Sequence, residues 1–514
     1  MKRALRRGLT LALLPLLLLS GCWSPEEEEQ GSGSLLPEME QEAQEEAHVS
    51  LPESLVLPCL SHTTFDPITC PDGAQQVVGS LVYEGLFELD EHFQPQPRLC
   101  ERYTYDSTAL TYTLTLRSGV TFSDGSPLTA QDVAASLQRA KQSERYRTRL
   151  NEVVSASAAG PDTVLLTLNH ANSGLTALLD LPIVKAGTET SLTPLGTGPY
   201  AFSGDRLIPN PHWWQTDPLP IQEIRLSPAM DRDGILYQFA SHEVQLMTAD
   251  LTSPHPVSVT GRVQFSDANT TILHYLGFNT RRSLFQQEDL RAALNLGINR
   301  EAMVSAYFSG HGVPAQFPLS PLSDFYPDAL EQPYSYDAFS KAMKEAGFQR
   351  GRTVRATLIV NEENPFKVSA ATYLASSLSH FDLKIEVKVL PWEEYLSALH
   401  SGHYDLYFGE VKLSADWNLI PLLSSSGSLN YGGWSDPELD QLLAAYAQSS
   451  DRKAAMESLC SYLKEHHPIL PLSFKSTSVL TQEGVFTGLH PTTSSPFYDL
   501  SSCEIHLKGA GKTP

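Results

Sequence analysis

Histidine is the side chain most readily used for metal binding or proton transfer near neutral pH. The sequence holds two close histidine pairs, His400 with His403 as H-x-x-H and the adjacent His466 with His467. Neither pair has a further set of ligands spaced around it, so surface or structural roles are expected for all four, and no metal site. No H-E-x-x-H zinc-peptidase pattern and no G-x-S-x-G nucleophile elbow occur. The run Gly509-Ala510-Gly511-Lys512-Thr513 matches the end of a phosphate-binding loop, but that loop's first glycine would fall at His506, so no nucleotide site is expected. An enzyme needs a nucleophile, a base or a metal set that can be named. None can be named here, and no cofactor is implied.

Chemistry of another kind is legible near the start. Lys2, Arg3, Arg6 and Arg7 precede an apolar run from Leu11 to Leu19, which ends in Leu19-Ser20-Gly21-Cys22. A basic flank, a short apolar stretch and small residues form an export signal, here residues 1–21. The run is too short to span a bilayer, which takes about 20 apolar residues. Leu-Ser-Gly-Cys resembles the bacterial lipobox, so Cys22 is expected to be acylated and to anchor the mature chain to a membrane. Residues 22–50 hold Glu26 to Glu29, Gly31-Ser32-Gly33-Ser34 and further acids through Glu46, the composition of a flexible charged tether. The net charge of −23, with no basic stripe to offset it, excludes a nucleic-acid surface. Cys59, Cys70, Cys100, Cys460 and Cys503 remain. Export permits disulfides, and the nearest pair, Cys59 with Cys70, is the one expected, although connectivity cannot be read from one chain.

The body must position whatever site exists. At 514 residues with 41% hydrophobic and 18% charged residues, it is large enough for two or three folded domains. Thr111 to Leu116 alternates, with Tyr112, Leu114 and Leu116 on one face, which predicts a half-buried strand. Thr129 and Asp132 form a capping box that opens a helix carrying Val133, Leu137 and Ala140. Val164 to Leu168 reads as a strand. Asp289 through Phe308 reads as one helix with Leu290, Ala293, Leu294 and Ile298 along its apolar stripe. Ser435 to Glu438 reads as a second capping box, ahead of Leu439, Leu442, Leu443 and Tyr446. The class is mixed α/β.

Leu81-Val82-Tyr83-Glu84-Gly85-Leu86-Phe87 begins a series of segments that resembles the extracytoplasmic solute-binding proteins, bacterial family 5, of oligopeptide, dipeptide and nickel importers. Phe122-Ser123-Asp124-Gly125-Ser126-Pro127-Leu128-Thr129 resembles that family's most recognisable stretch. Gly196-Thr197-Gly198-Pro199-Tyr200, Asn210-Pro211-His212-Trp213-Trp214 and Tyr275-Leu276-Gly277-Phe278-Asn279 follow in the family's order. The collinear likeness spans roughly residues 60 to 490. It implies a two-lobed body of three domains with a hinge: domain I from 51–83, 194–280 and 476–508, domain II from 84–193 and domain III from 281–475. It also implies a monomer on the outer face of the cell membrane or in the periplasm, handing its ligand to a permease and an ATPase that this chain does not contain.

The same resemblance carries residues. An aspartate in an A-D-Y-like segment meets the amine of bound peptide in that family, and the matching segment is Ala415-Asp416-Trp417, so Asp416 is expected to be the amine anchor. Trp392, Trp417, Tyr275 and Phe474 are expected to line the ligand chamber. The sequence departs from the pattern by two extra residues between Trp392 and Asp416, and Leu399 and Phe408 stand where some members carry basic residues. Lys412 or Lys475 is then left to receive a ligand carboxylate. A nickel-chelate or haem ligand on the same fold is the alternative, in which His400 and His403 would matter in place of Asp416. An exported enzyme is the third reading.

Overall fold

Strand Thr111–Leu116 buries Tyr112, Leu114 and Leu116 and leaves its threonines half-buried, as the alternation requires. It lies second in an antiparallel four-stranded sheet, in the order Cys100–Asp106, Thr111–Leu116, Thr163–Leu168, Val153–Ala158. Helix Ala130–Gln142 starts at Thr129 with both halves of the expected capping box and packs Val133, Leu137 and Ala140 into the core beside that sheet. The computed structural model describes residues 51–259, 261–349 and 351–508. The export signal, Cys22, the tether and the Gly509–Thr513 run lie outside them. Among the described residues, no helix is long and apolar enough to cross a membrane.

A second four-stranded sheet pairs Leu55–Leu60 in parallel with Ile224–Ala229, followed by Arg206–Pro209 and Tyr200–Ser203. The third sheet has seven strands. Its long members, Val263–Phe278 and Ile469–Gln482, run antiparallel from the core shared by the two four-stranded sheets, the first lobe, to the cores around Val354–Asn361, Leu383–Leu390 and Leu406–Lys412, the second lobe. Their first-lobe ends pair Val263 to Asn269 with Gln482 to Ser476, beside Leu246–Ala249. Their second-lobe ends lie next to Leu406–Lys412, which leads to the parallel strands Val354–Asn361 and Leu383–Leu390. Between the two regions the register slips at Asn269 to Leu273, where Thr270 Oγ1 donates to the Lys475 carbonyl at 2.8 Å. A bulge bends a strand locally, so the bend sits where the lobes join.

The core fills both lobes, and in the second lobe small residues let large ones through. Tyr275 stands opposite Gly409, and Tyr407 opposite Gly277, on neighbouring strands. Each ring lies over the partner glycine, and the two rings meet edge-on at 5.6 Å between centroids. A Cβ on either glycine would overlap a tyrosine ring.

Three expectations are corrected. The helix expected over Asp289 to Phe308 is two, Glu288–Leu296 and Arg300–Tyr307. Gly297 closes the first, pressed so near Phe339 and Leu378 that no side chain fits, and the Asn299 side chain caps the second by accepting from Ala302 N at 3.0 Å. The cap expected at Ser435 is Asp436, which accepts from Glu438 N at 2.7 Å with Pro437 as the first helical residue. Cys59 and Cys70 form no disulfide. All five described cysteines are buried thiols, Cys59 lying within strand Leu55–Leu60 while Cys70 Sγ donates to Asp72 Oδ2 at 3.7 Å.

The reciprocal glycines give a prediction. Gly277→Ala must push Tyr407 out of its place, and overpacking of this kind costs about 1–3 kcal/mol. That exceeds the entropic gain of about 0.4–1 kcal/mol from stiffening the unfolded chain. The urea midpoint should therefore fall; a midpoint that stays or rises would show that the ring has room to retreat.

Candidate functional site

Strand Leu406–Lys412 ends at a tight turn in which Trp417 N donates to Ser414 O at 2.9 Å. Trp417 closes it with φ +54°, a left-handed conformation uncommon for a bulky side chain. Its ring is almost wholly buried, edge-on to Phe93 at 5.2 Å and to Phe474 at 5.9 Å. Packing thus holds a backbone that would otherwise relax, and the turn aims Asp416 the other way.

Asp416 is 2% exposed. Its Oδ1 accepts from Ser414 Oγ and from Asn418 N at 3.2 Å, and its Oδ2 accepts from Asn172 Nδ2 at 2.7 Å. Asn172 belongs to the first lobe. The same Nδ2 donates to Glu152 Oε2 at 2.8 Å, and Asn418 Nδ2 donates to Glu152 Oε1 at 3.1 Å. Two carboxylates from opposite lobes therefore share one amide, itself fixed by Gly174 N to its Oδ1 at 2.8 Å and Tyr112 Oη to its carbonyl at 2.9 Å. Burial first, and then the neighbouring charge of Asp416, push the Glu152 carboxyl above its usual range.

The segment after helix Ala130–Gln142 supplies the opposite sign. Tyr146 and Leu150, four apart, bury themselves in the core. That turn leaves Arg145 and Arg149 to line the cleft, and Arg149 contacts Asp180, which also accepts from Ser494 Oγ at 2.6 Å. Lys412 reaches the same space from the second lobe. Desolvation lowers its pKa, and the charges of Arg149 and Arg145 lower it further.

These groups face one cavity of about 970 Å³, walled by residues of both lobes, with Thr271 of the bent crossing on its lining. Its volume is at the upper end for ligand sites. Other contacts also bridge the lobes: Ser173 N to Ala447 O at 2.9 Å, and His92 Nδ1 with Leu322 O at 2.7 Å.

Of the residues expected at the site, the structure brings together Asp416 and Lys412. The others lie elsewhere. Trp417, Tyr275 and Phe474 belong to one buried core cluster. Trp392 opens helix Trp392–Ser401, 46% exposed and stacked on Tyr395. Lys475 is 6% exposed and bonded to Asp250 Oδ2 at 2.6 Å. Large aromatic side chains bury more area against each other than against a wet cavity, and a buried ammonium needs a fixed acid. His400 and His403 sit on the surface, bonded to Leu396 O and Ser401 Oγ, both at 2.8 Å, and do not line the cavity. Among the described residues, no group of three or more His, Cys, Asp or Glu side chains could hold a metal ion. Sequence reasoning missed Glu152, Asn172, Asn418, Arg145 and Arg149. One signal was present: five basic residues between Arg139 and Arg149 in a chain of net charge −23.

Residues 94–464 match the model of bacterial extracellular solute-binding proteins, family 5. The glutathione-binding protein GsiB of Salmonella typhi is 26% identical over 420 residues, covering 76% of this chain and 82% of that protein. Among solved structures, the unliganded open form of MppA, a periplasmic murein tripeptide-binding protein, superposes with a TM-score of 0.73 at 18% identity, over 89% of this chain and 98% of that one. A nickel ABC transporter protein from Bacillus halodurans gives 0.73 at 20% identity, over 86% and 98%.

A carboxyl whose folded pKa is raised holds its proton more tightly when folded. Its contribution to stability is present below the unfolded value of about 4.3 and is lost as pH rises through the folded value. Glu152→Gln removes that titration. The melting temperature of the variant relative to the parent should therefore climb as pH is raised through the carboxyl range toward neutrality; a difference independent of pH would contradict the raised pKa.

Proposed function

Because the chain belongs to the bacterial extracellular solute-binding proteins of family 5, components of ABC importers that work outside the cytoplasm, we propose that it captures short peptides through their free amino end. The observation that carries this reading is the state of Asp416. It is a buried carboxylate on the wall of a large cavity, and all the hydrogen bonds to its side chain come from neutral donors, the Arg452 guanidinium donating to its backbone carbonyl instead. Among the described residues, no cationic side chain lies within ion-pair distance of it. A buried charge is costly without a partner, and a ligand ammonium supplies one with three donors. Glu152 stands across the shared amide to take a further donor.

The lobes close over the ligand by bending at the register slip in the two crossing strands, and ligand bonds to both lobes favour the closed state by their differential affinity. The murein tripeptide and the glutathione for which two relatives are named support a peptide-sized ligand. Anchored through Cys22 at the end of the acidic tether, the body works as a monomer that delivers peptide to separate permease and ATPase subunits. A nickel-chelate or haem ligand has no observation in its favour at the cavity, since His400 and His403 face solvent elsewhere.

Asp416→Asn keeps the shape and an acceptor oxygen but removes the charge. Loss of one partner of a desolvated pair costs about 3–5 kcal/mol, so affinity for a tripeptide pool should fall roughly a hundred- to several-thousand-fold by calorimetry. Acetylating the peptide amine should cost the parent protein as much and the variant little, because the two changes remove the same contact. Equal heat from acetylated and free peptide on the parent would sink the amine anchor, and heat from nickel alone would favour a metal chelate.

A further inference from the structure

Three consecutive residues of the first lobe, Asn172-Ser173-Gly174, each touch the second lobe. Their own lobe fixes them first. Tyr105 Oη accepts from Asn172 N at 3.2 Å, Tyr112 Oη donates to the Asn172 carbonyl at 2.9 Å, and Gly174 N donates back to Asn172 Oδ1 at 2.8 Å. The short 3₁₀ turn that follows, Leu175–Leu178, is buried at all four residues. The segment is thus a fixed projection of its lobe and not a loose loop.

The second lobe meets it with the ends of two helices. Helix Pro437–Gln448 has no partners of its own for its last carbonyls, and the Ala447 carbonyl accepts from Ser173 N at 2.9 Å. Helix Arg452–His466 begins at Arg452, whose guanidinium lies over the Tyr446 ring at 4.6 Å and donates to Tyr446 Oη and to the Asp416 carbonyl. That guanidinium fills the space beside Gly174, and a Cβ at 174 would overlap it. Gly174 has φ −101° and ψ 8°, which other residues adopt in turns. The demand for glycine therefore comes from the opposite lobe and not from its own backbone. None of Ser173, Gly174, Ala447 and Arg452 lines the cavity, so these contacts join the lobes from outside the ligand space.

We propose that Asn172-Ser173-Gly174 is a latch, seated on Ala447 and Arg452, that stabilises the closed arrangement of the lobes through protein contacts alone. Only a hinge between the lobes is needed for this, whatever the ligand. Closure then has a component that no ligand supplies, and the closed fraction of the free protein scales the affinity for every ligand by the same factor. Gly174 makes the seat possible. A side chain there obliges Arg452 to give up its bonds to Tyr446 Oη and to the Asp416 carbonyl before the lobes can meet. Latch and cavity wall thus share one part, since the guanidinium that receives Gly174 also holds the backbone of Asp416.

Spin-label distances test the latch with no ligand added. Thr108 of the first lobe and Gln441 of the second are exposed, and the five described cysteines are buried, so Thr108→Cys and Gln441→Cys can carry nitroxides on the full chain. After exhaustive dialysis, with native mass spectrometry to verify that no small molecule is bound, this labelled parent should show a short separation, alone or beside a long one. Gly174→Ala should lower the ratio of short to long about tenfold, as for loss of a charged hydrogen bond. Arg452→Ala should lower it as well. Adding Gly174→Ala to Arg452→Ala should then change the ratio by less than about twofold, because the new methyl group meets no guanidinium. A long separation alone in the parent overturns the latch. So does an unchanged ratio in Arg452→Ala, a comparison that stands even where Gly174→Ala fails to fold. Equal effects of Gly174→Ala with and without Arg452 overturn the seat on that side chain.

Discussion

One amide nitrogen, Asn172 Nδ2, lies between two carboxylates that come from opposite lobes. Without it, Asp416 and Glu152 would face each other as like charges in a place that excludes much of the water that could screen them. A hydrogen bond to a charged group is worth about 1.5–3 kcal/mol, and this one side chain makes two. Its own freedom is spent beforehand on Tyr112, Tyr105 and Gly174. The consequence is mechanical as well as electrostatic. The contact that steadies the acids is also a contact between lobes, so anything that competes for the oxygens of Asp416 acts on closure.

That arrangement needs Asp416 held still, and the aromatic residues around it do the holding. Trp417 sits in a left-handed conformation that costs on the order of 1–2 kcal/mol, and its burial between Phe93 and Phe474 offsets the strain. Phe93 comes from a first-lobe loop, so the turn that presents Asp416 is finished by the opposite lobe. Tyr275 and Tyr407 pack across their reciprocal glycines behind the same strand. These rings are one layer behind the cavity wall. They govern the site by fixing the backbone, and their loss would be felt as disorder at Asp416.

Regular elements were legible because their signal is local: the alternation of Thr111–Leu116 and the cap at Thr129 each span a few residues. The helix expected from Asp289 to Phe308 divides at Gly297, where the Asn299 side chain caps the second helix; the approach of Phe339 and Leu378 that leaves no room for a side chain at 297 is a tertiary contact that periodicity does not show. The acidic half of the site was legible only in part. Asp416 came through resemblance, while Asn172, 244 residues away, carries no pattern of its own, and Glu152 is one acid among 59 Asp and Glu residues. The expectations for Tyr275, Trp417, Phe474 and Lys475 failed on depth, because a sequence gives the strand that a residue occupies more readily than the layer it faces. Arg145 and Arg149 were the most readable feature left unread, since a basic run stands out in an acidic chain.

Acid is abundant in this protein, and where the fold needs a cation neutralised it supplies one. Behind the crossing strands, Lys475 is bonded to Asp250, and Glu410 lies between His274 at 2.8 Å and Lys367 at 3.8 Å. Burial alone would raise the Glu410 pKa, yet the His274 bond and the two lysines hold it down to about 2. The strand that ends in Lys412 thus treats its two charged faces differently: Glu410 closes a compensated network within the protein, and two residues later an ammonium reaches the cavity with guanidinium groups as neighbours. With a net charge of −23 available, leaving Lys412 and Arg145 without acids within ion-pair distance concentrates positive potential at one point of the cleft. A low-dielectric cleft magnifies that potential.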